Sequence, residues 1–151
     1  AVLRVGGATE SELRERKDRV DDALSATQAA IEEGVVPGGG VALVRSCQNI
    51  SPDNSAIDGF SAGVEVIRRA CEYPLKQIVT NSGGSADLVL EKIKSNETSS
   101  YGYDAFRDSF GDMFDMGIID PVKVVRCALE NASSAASMML TVGCAMIEEG
   151  E

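Results

Sequence analysis

No regular element can run through Pro37-Gly38-Gly39-Gly40, and Gly34 stands just ahead of that run. Proline lacks the backbone donor that a helix needs, and consecutive glycines have no Cβ to restrict the chain. Whatever precedes this break is therefore a separate piece. Upstream, Thr9 and Glu12 have the spacing of a capping box. Leu13, Val20, Leu24, Thr27 and Ile31 then recur at intervals of seven, four, three and four, and Gly34 supplies the stop. Eight acidic and four basic residues lie between Glu10 and Glu33, so one face of this long helix is expected to pack while the rest is solvated. Downstream, Val41 to Val44 begin a short buried helix on the glycine loop. The expected organisation is one main domain carrying an arm and a long helix as an appendage. The 151 residues suffice for a single core.

The rest of the main domain reads as mostly α, with minor strands. Ser51 to Ser55 is a loop by composition, and Ile57, Phe60, Val64, Ile67 and Cys71 follow at helical spacing. Pro74 fits the first turn of a further helix through Val79, closed by Gly83 and Gly84, and Ser85 is placed to cap another through Ile93. Tyr101 to Phe106 and Gly117 to Ile119 suggest two short extended pieces around a turn. Asp120-Pro121 predicts a helix start, with Val124, Ala128, Ala132, Ala135 and Met139 along one face. Val2, Leu3 and Val5 suggest a strand end, and Leu140 to Ile147 a closing strand.

Composition removes several function classes. A net charge of −10 disfavours binding to a phosphate backbone, so nucleic acid is not an expected partner. The absence of histidine excludes Ser-His and Cys-His pairs and the commonest zinc ligand. Cys47, Cys71, Cys127 and Cys144 have no C-x-x-C spacing and read as buried reduced thiols, fitting a reducing compartment. No apolar run approaches the ~20 residues of a membrane span, and no signal-peptide pattern opens the chain. Ala1 rather than Met at the start suggests a fragment or a processed product.

Four features could carry chemistry, each with a plainer alternative. Asp22 lies nearly opposite the apolar seam of its helix, on a face with Ala26 and Ala29 that leaves room for a ligand or another domain. It could equally be a solvated carboxylate. Gly38 to Gly40 could bring backbone N–H groups against a polar ligand, or could simply be a turn. Asp120 could cap the helix that Pro121 begins, or accept hydrogen bonds from sugar hydroxyls. Tyr103, Asp104, Ala105 and Phe106 could form a flat ring-binding wall, although core packing also explains aromatics. Met113, Met116, Met138 and Met139 read as core filler.

Six stretches taken in order are more specific than any of these alone. They are AVLRVGGATE from Ala1, DRVDDALSAT from Asp18, EEGVVPGGGVAL from Glu32, PLKQIV from Pro74, YGYDA from Tyr101 and MGIIDPVKVVR from Met116. Together they resemble the group I (GroEL-type) chaperonins, from the first residue to about Glu148.

The resemblance implies a mainly α fold, the helical bundle of the chaperonin equatorial domain with minor β strands, preceded by a long intermediate-domain helix. Residues 1–33 would be an intermediate-domain segment, Gly34 its hinge, and 34–151 the C-terminal half of the equatorial domain. Asp22 matches the catalytic aspartate that activates the water attacking ATP. Gly39 matches the glycine that meets the nucleotide, and Asp120 the aspartate that holds the ribose. Asp104, Ala105 and Phe106 match the adenine-side segment, with Ile78 and Ile118 lining the same pocket. Bacterial members often carry Asn where Asp104 stands and Ala where Phe106 stands, so this base pocket is more acidic and more crowded.

Also implied are ATP, Mg²⁺ and K⁺ in the full-length parent, seven-membered rings, a co-chaperonin and unfolded client proteins, without nucleic acid or membrane. The expected place is the bacterial cytoplasm or an organelle matrix or stroma. The family's phosphate loop, Mg²⁺ aspartate and apical domain have no counterpart here, so the isolated chain is expected to be inactive. The alternatives are a non-catalytic helical interaction module on the same scaffold and an unrelated carboxylate enzyme built on Asp22 and Asp120.

Overall fold

The computed structural model describes residues 2–50, 59–144 and 146. In chain order these form α1 (Glu10–Glu33), β1 (Val35–Pro37), α2 (Val41–Gln48), α3 (Phe60–Asn81), α4 (Ala86–Ser95), β2 (Tyr101–Asp104), β3 (Ser109–Asp112), β4 (Ile119–Pro121) and α5 (Val122–Leu140). The chain is mainly helical, as its periodicity predicts, and its strands make two separate antiparallel pairs, β1 with β4 and β2 with β3.

The core lies where α2, α3 and α4 meet the β2–β3 hairpin. Val41, Val44, Leu75, Val79, Val89, Leu90, Ile93, Tyr103 and Met113 form one buried cluster. Pro74 does not begin a new helix: α3 passes straight through it. Burial of Cys71, Leu75 and Val79 along one row of α3 outweighs the lost hydrogen bond, a tertiary contribution that local propensity does not carry. Gly40 is needed beside this row. Its φ is +80°, and a Cβ there would sit 2.7 Å from the Leu75 backbone nitrogen.

The start of α1 forms much as its sequence dictates. Thr9 Oγ1 accepts from the Glu12 N–H at 3.2 Å, and Glu12 reaches back to the N–H of Ala8 rather than that of Thr9. Gly34 closes the helix with φ +84°, its N–H bonded to Ala30. The packed face is not the expected one. Leu24 is 68% and Ile31 81% exposed, whereas Ala26, Ala29 and Ala30 are half-buried on the side that meets α5.

Other expectations change for similar reasons. Val2, Leu3 and Val5 form no strand, and among the described residues none pairs with them; they line a groove with Leu13, Val20 and Leu24 instead. The stretch around Tyr101 is a true hairpin, with β3 added and β2 ending at Asp104 rather than Phe106. Helix α5 continues to Leu140, and residues 141–144 are not a strand; Ile147 lies outside the described residues, as do Ala1, Ile57 and the Ser51 to Ser55 loop. The row Val124, Ala128, Ala132, Ala135 and Met139 faces solvent. Met138 and Met139 are therefore exposed, while Met113 and Met116 do pack in or on the core. Cys47 and Cys71 are buried thiols, Cys127 is half-buried and Cys144 exposed.

Candidate functional site

The pairing of β1 with β4 builds the centre of the site. Val36 lies opposite Asp120 and Pro37 opposite Ile119, and the Gly38 N–H donates to the Ile118 carbonyl at 2.9 Å. A Cβ on Gly38 would stand 3.1 Å from that same carbonyl carbon, so a larger residue there would crowd the two strands and push them slightly apart. Gly39 follows with φ +65°, and a Cβ there would come within 3.1 Å of the Met113 methyl. Among the described residues, the N–H groups of Gly39 and Gly40, just ahead of α2, form no hydrogen bond.

Asp120 is not the helix cap that its position before Pro121 suggests. Pro121 itself precedes the first turn of α5, and no side chain caps that helix. One of its orphan donors is met from elsewhere, since the Val122 N–H donates to the Gly34 carbonyl at 3.1 Å. The Asp120 carboxylate is therefore uncommitted. Partial burial pushes its pKa above the ordinary aspartate range, and no hydrogen bond from a described residue opposes the shift.

On the other flank, Asp104 is buried at the end of β2. Its Oδ1 accepts from the backbone N–H of Phe106 at 2.9 Å and of Arg107 at 3.2 Å, so the carboxylate folds the turn that carries Ala105 and Phe106. Ala105 and Ile118 both pack on the core cluster, one from each flank. Phe106 points out at 95% exposure. Ile78 is partly exposed on α3, near the turn that ends that helix.

Asp22 stands apart from this group. It is exposed, twelve residues ahead of Gly34, which is roughly 18 Å of helix at 1.5 Å per residue. It continues the row of Ser25, Ala29 and Glu32, and that row borders a groove of about 480 Å³ shared with Lys123, Val124 and Cys127 of α5. The face with the small side chains is thus the one turned toward the later segment.

Two ion pairs hold that face across the Gly34 joint. Lys123 pairs with Glu32, and Arg126 Nη2 meets Glu33 Oε1 at 2.6 Å. The hydrogen bond from Arg126 holds the Glu33 pKa below the usual carboxylate range. Sequence reading missed both pairs, although two glutamates ending one helix and Lys123 and Arg126 beginning another are a visible sign. Also missed was the Tyr103 hydroxyl, which donates to Asp108 at 2.7 Å; nothing in residue spacing announces it.

This geometry can be set beside known proteins. The model of the TCP-1/cpn60 chaperonin family matches residues 1–149. The chain belongs to that family. A solved group III chaperonin in the open state is similar to this chaperonin chain with a TM-score of 0.80 and 26% sequence identity, over 94% of this chain. The match spans only 30% of the solved chain. The helical bundle described above is thus a chaperonin subunit's equatorial-type fold.

Proposed function

We propose that this chain supplies the adenosine side of an ATP site and the water-activating carboxylate of an ATP-driven, protein-folding chaperonin subunit. The observation that carries the reading is the β1–β4 pairing. It sets an uncapped, half-buried Asp120 beside the Gly38–Gly40 loop, whose free N–H groups and helix start suit a polar or anionic ligand. In this reading Asp120 accepts from the ribose hydroxyls, Gly39 lets its backbone approach the nucleotide, and Asp104, Ala105 and Phe106 bound the base. Asp22 would come over the bound nucleotide when α1 swings about Gly34, coupling closure to hydrolysis.

Residues 1–33 then form the intermediate-domain segment and 34–151 the second half of the equatorial domain. Among the described residues no three carboxylates or thiols converge as a metal site. In this reading, as the resemblance implies, Mg²⁺ and K⁺ would be held chiefly by groups beyond this chain and would supply charge neutralisation at the triphosphate. The six sequence blocks favour group I, with seven-membered rings, a co-chaperonin and unfolded clients bound elsewhere on the subunit, in bacterial cytoplasm or an organelle. Native mass of the assembled ring tests that assignment.

The decisive variant is Asp22→Ala in the full-length subunit. Turnover should fall by about 10²- to 10⁴-fold while ATP binding persists; equal loss of both would make Asp22 structural. Asp120→Asn should instead weaken binding by about 10- to 100-fold, the worth of a charged hydrogen bond. A non-catalytic interaction module is the second reading, favoured by the exposed apolar groups Leu24, Ile31, Met138 and Met139. It predicts no ATP binding by the full-length protein at all.

A further inference from the structure

Helices α2 and α3 touch at Gly40, where a Cβ would stand 2.7 Å from the Leu75 backbone nitrogen. Leading away from that contact, α2 buries Val41, Val44 and Cys47 in turn, and α3 buries Leu75 and, one turn back, Cys71. The two rows thus bring one cysteine from each helix to the same end of the interface. There the thiols share a hydrogen bond, with Cys47 6% and Cys71 2% exposed.

A crevice of about 10 Å³ opens onto this pair among α2, α3 and α4. Cys47 lines it with Val44, Gln48, Arg68, Glu72 and Lys94. Arg68 precedes Cys71 by three residues of α3 and Glu72 follows it directly, so Cys71 lies just behind that lining. The space suffices for about one water molecule, and its four polar side chains suit water or something much like it. Folding accounts for a buried cysteine as a small apolar residue. It does not account for a polar opening onto one.

We propose that Cys47 and Cys71 are a peroxide-reactive dithiol, in which Cys47 attacks hydrogen peroxide and Cys71 then closes a disulfide between α2 and α3. The inference is independent of the ATP-site reading. In the first step the Cys47 thiolate bonds to one peroxide oxygen, the O–O bond breaks, and hydroxide leaves and takes up a proton as water. In the second, the Cys71 sulfur attacks the sulfenic sulfur of Cys47, the S–O bond breaks, and the Cys71 proton departs with the hydroxyl as water. Two thiols are oxidised and one peroxide is reduced to two waters. The roles differ because the surroundings differ. Burial, then the hydrogen bond and charge of Cys47, push the Cys71 thiol up to about 12, so Cys71 keeps its proton while Cys47 has the crevice.

The test treats the folded full-length subunit with hydrogen peroxide or with oxidised glutathione, blocks the remaining thiols and maps tryptic peptides. Cleavage after Arg45, Arg68, Arg69 and Lys76 puts Cys47 in peptide 46–68 and Cys71 in peptide 70–76. Peroxide should join these two peptides with the loss of two hydrogens, and dithiothreitol should part them again. Oxidised glutathione, far larger than the crevice, should act at least about tenfold more slowly. In Cys71→Ala, peptide 46–68 should gain oxygen and stay unlinked. In Cys47→Ala, peptide 70–76 should stay reduced.

The proposal is overturned if peroxide leaves both peptides reduced, or joins either of them to another cysteine instead. It is equally overturned if oxidised glutathione matches peroxide, or if Cys71 oxidises as fast in Cys47→Ala as in wild type. All but the last of these outcomes are read on the wild-type subunit, so a variant that fails to fold does not spare the proposal.

Discussion

Helices α3 and α5 are of similar length, 22 and 19 residues, and both carry an apolar row at helical spacing. Yet α3 buries Cys71, Leu75 and Val79, and α5 buries no residue fully. The difference lies in what each row meets. The α3 row faces α2 and α4 across the core. Past Val124, which borders the groove with α1, the Ala128 to Met139 row of α5 meets water, and the start of the helix is tied to α1 by charged groups. An apolar row marks a face that can pack, and only the partner decides whether it does. Here the two cases divide the molecule into a dry bundle and a jointed, polar attachment.

The largest test of that division is truncation within each row. Leu75→Ala should cost about 2–5 kcal/mol in urea unfolding of the chain, the usual range for a fully buried leucine. Met139→Ala, at an exposed position, should stay within about 0.5 kcal/mol. Comparable losses at the two sites would mean that α5 is part of the same cooperative core, and the contrast would fail.

Acid should sharpen the comparison, because carboxylates in the two regions have shifts of opposite sign. Between α3 and α4, burial alone would raise Glu72, but the hydrogen bond from Lys94 and the charges of Lys94 and Lys76 overcome it and leave the pKa below its ordinary 4.5. A lowered native pKa means stability that is complete above about 4.5 and lost as pH falls through the native value. Asp120 behaves in the reverse sense. Burial raises its pKa above 3.8, so ionising it opposes folding, and its penalty grows as pH rises from 3.8 through the native value. Near neutral pH, Glu72→Gln should therefore lower the unfolding midpoint, while Asp120→Asn leaves it equal or higher despite weaker nucleotide binding. A lower midpoint for Asp120→Asn would show that its carboxylate serves the fold rather than a ligand.

What the sequence made legible follows the range of the interactions involved. Thr9, Glu12, Gly34 and the glycine loop act within a few residues of themselves, and their elements form where residue chemistry places them. Asp120 looked like a cap because Pro121 follows it; the β1–β4 pairing that claims it instead joins residues some 85 positions apart, beyond any local pattern. The β3 strand was missed for a related reason, since Ser109-Phe110-Gly111-Asp112 is short and its partner is fixed by an Asx turn at Asp104. For the site, residue chemistry left Asp22, Gly39 and Asp120 each with a plainer alternative, and only the order of the six blocks joined them. The β1–β4 pairing sets Asp120 opposite Val36, two residues before the Gly38–Gly40 loop, and leaves Asp22 on the far stretch of α1.

The smallest expected effect bears on that motion. Arg126 and Glu33 are both substantially exposed, and exposed ion pairs add little to stability. Their value here is geometric, because with Lys123 and Glu32 they tie the end of α1 to the start of α5 across Gly34, the proposed hinge. Arg126→Gln should then leave the unfolding midpoint unchanged within error, yet broaden the distance distribution between spin labels placed on α1 and α5. Salt near 1 M, where the screening length is ~3 Å, should broaden the wild-type distribution in the same way and add nothing to the variant. If Arg126→Gln instead lowered the midpoint as far as Leu75→Ala, the attachment would be held as firmly as the core. Asp22 would then have no joint on which to travel.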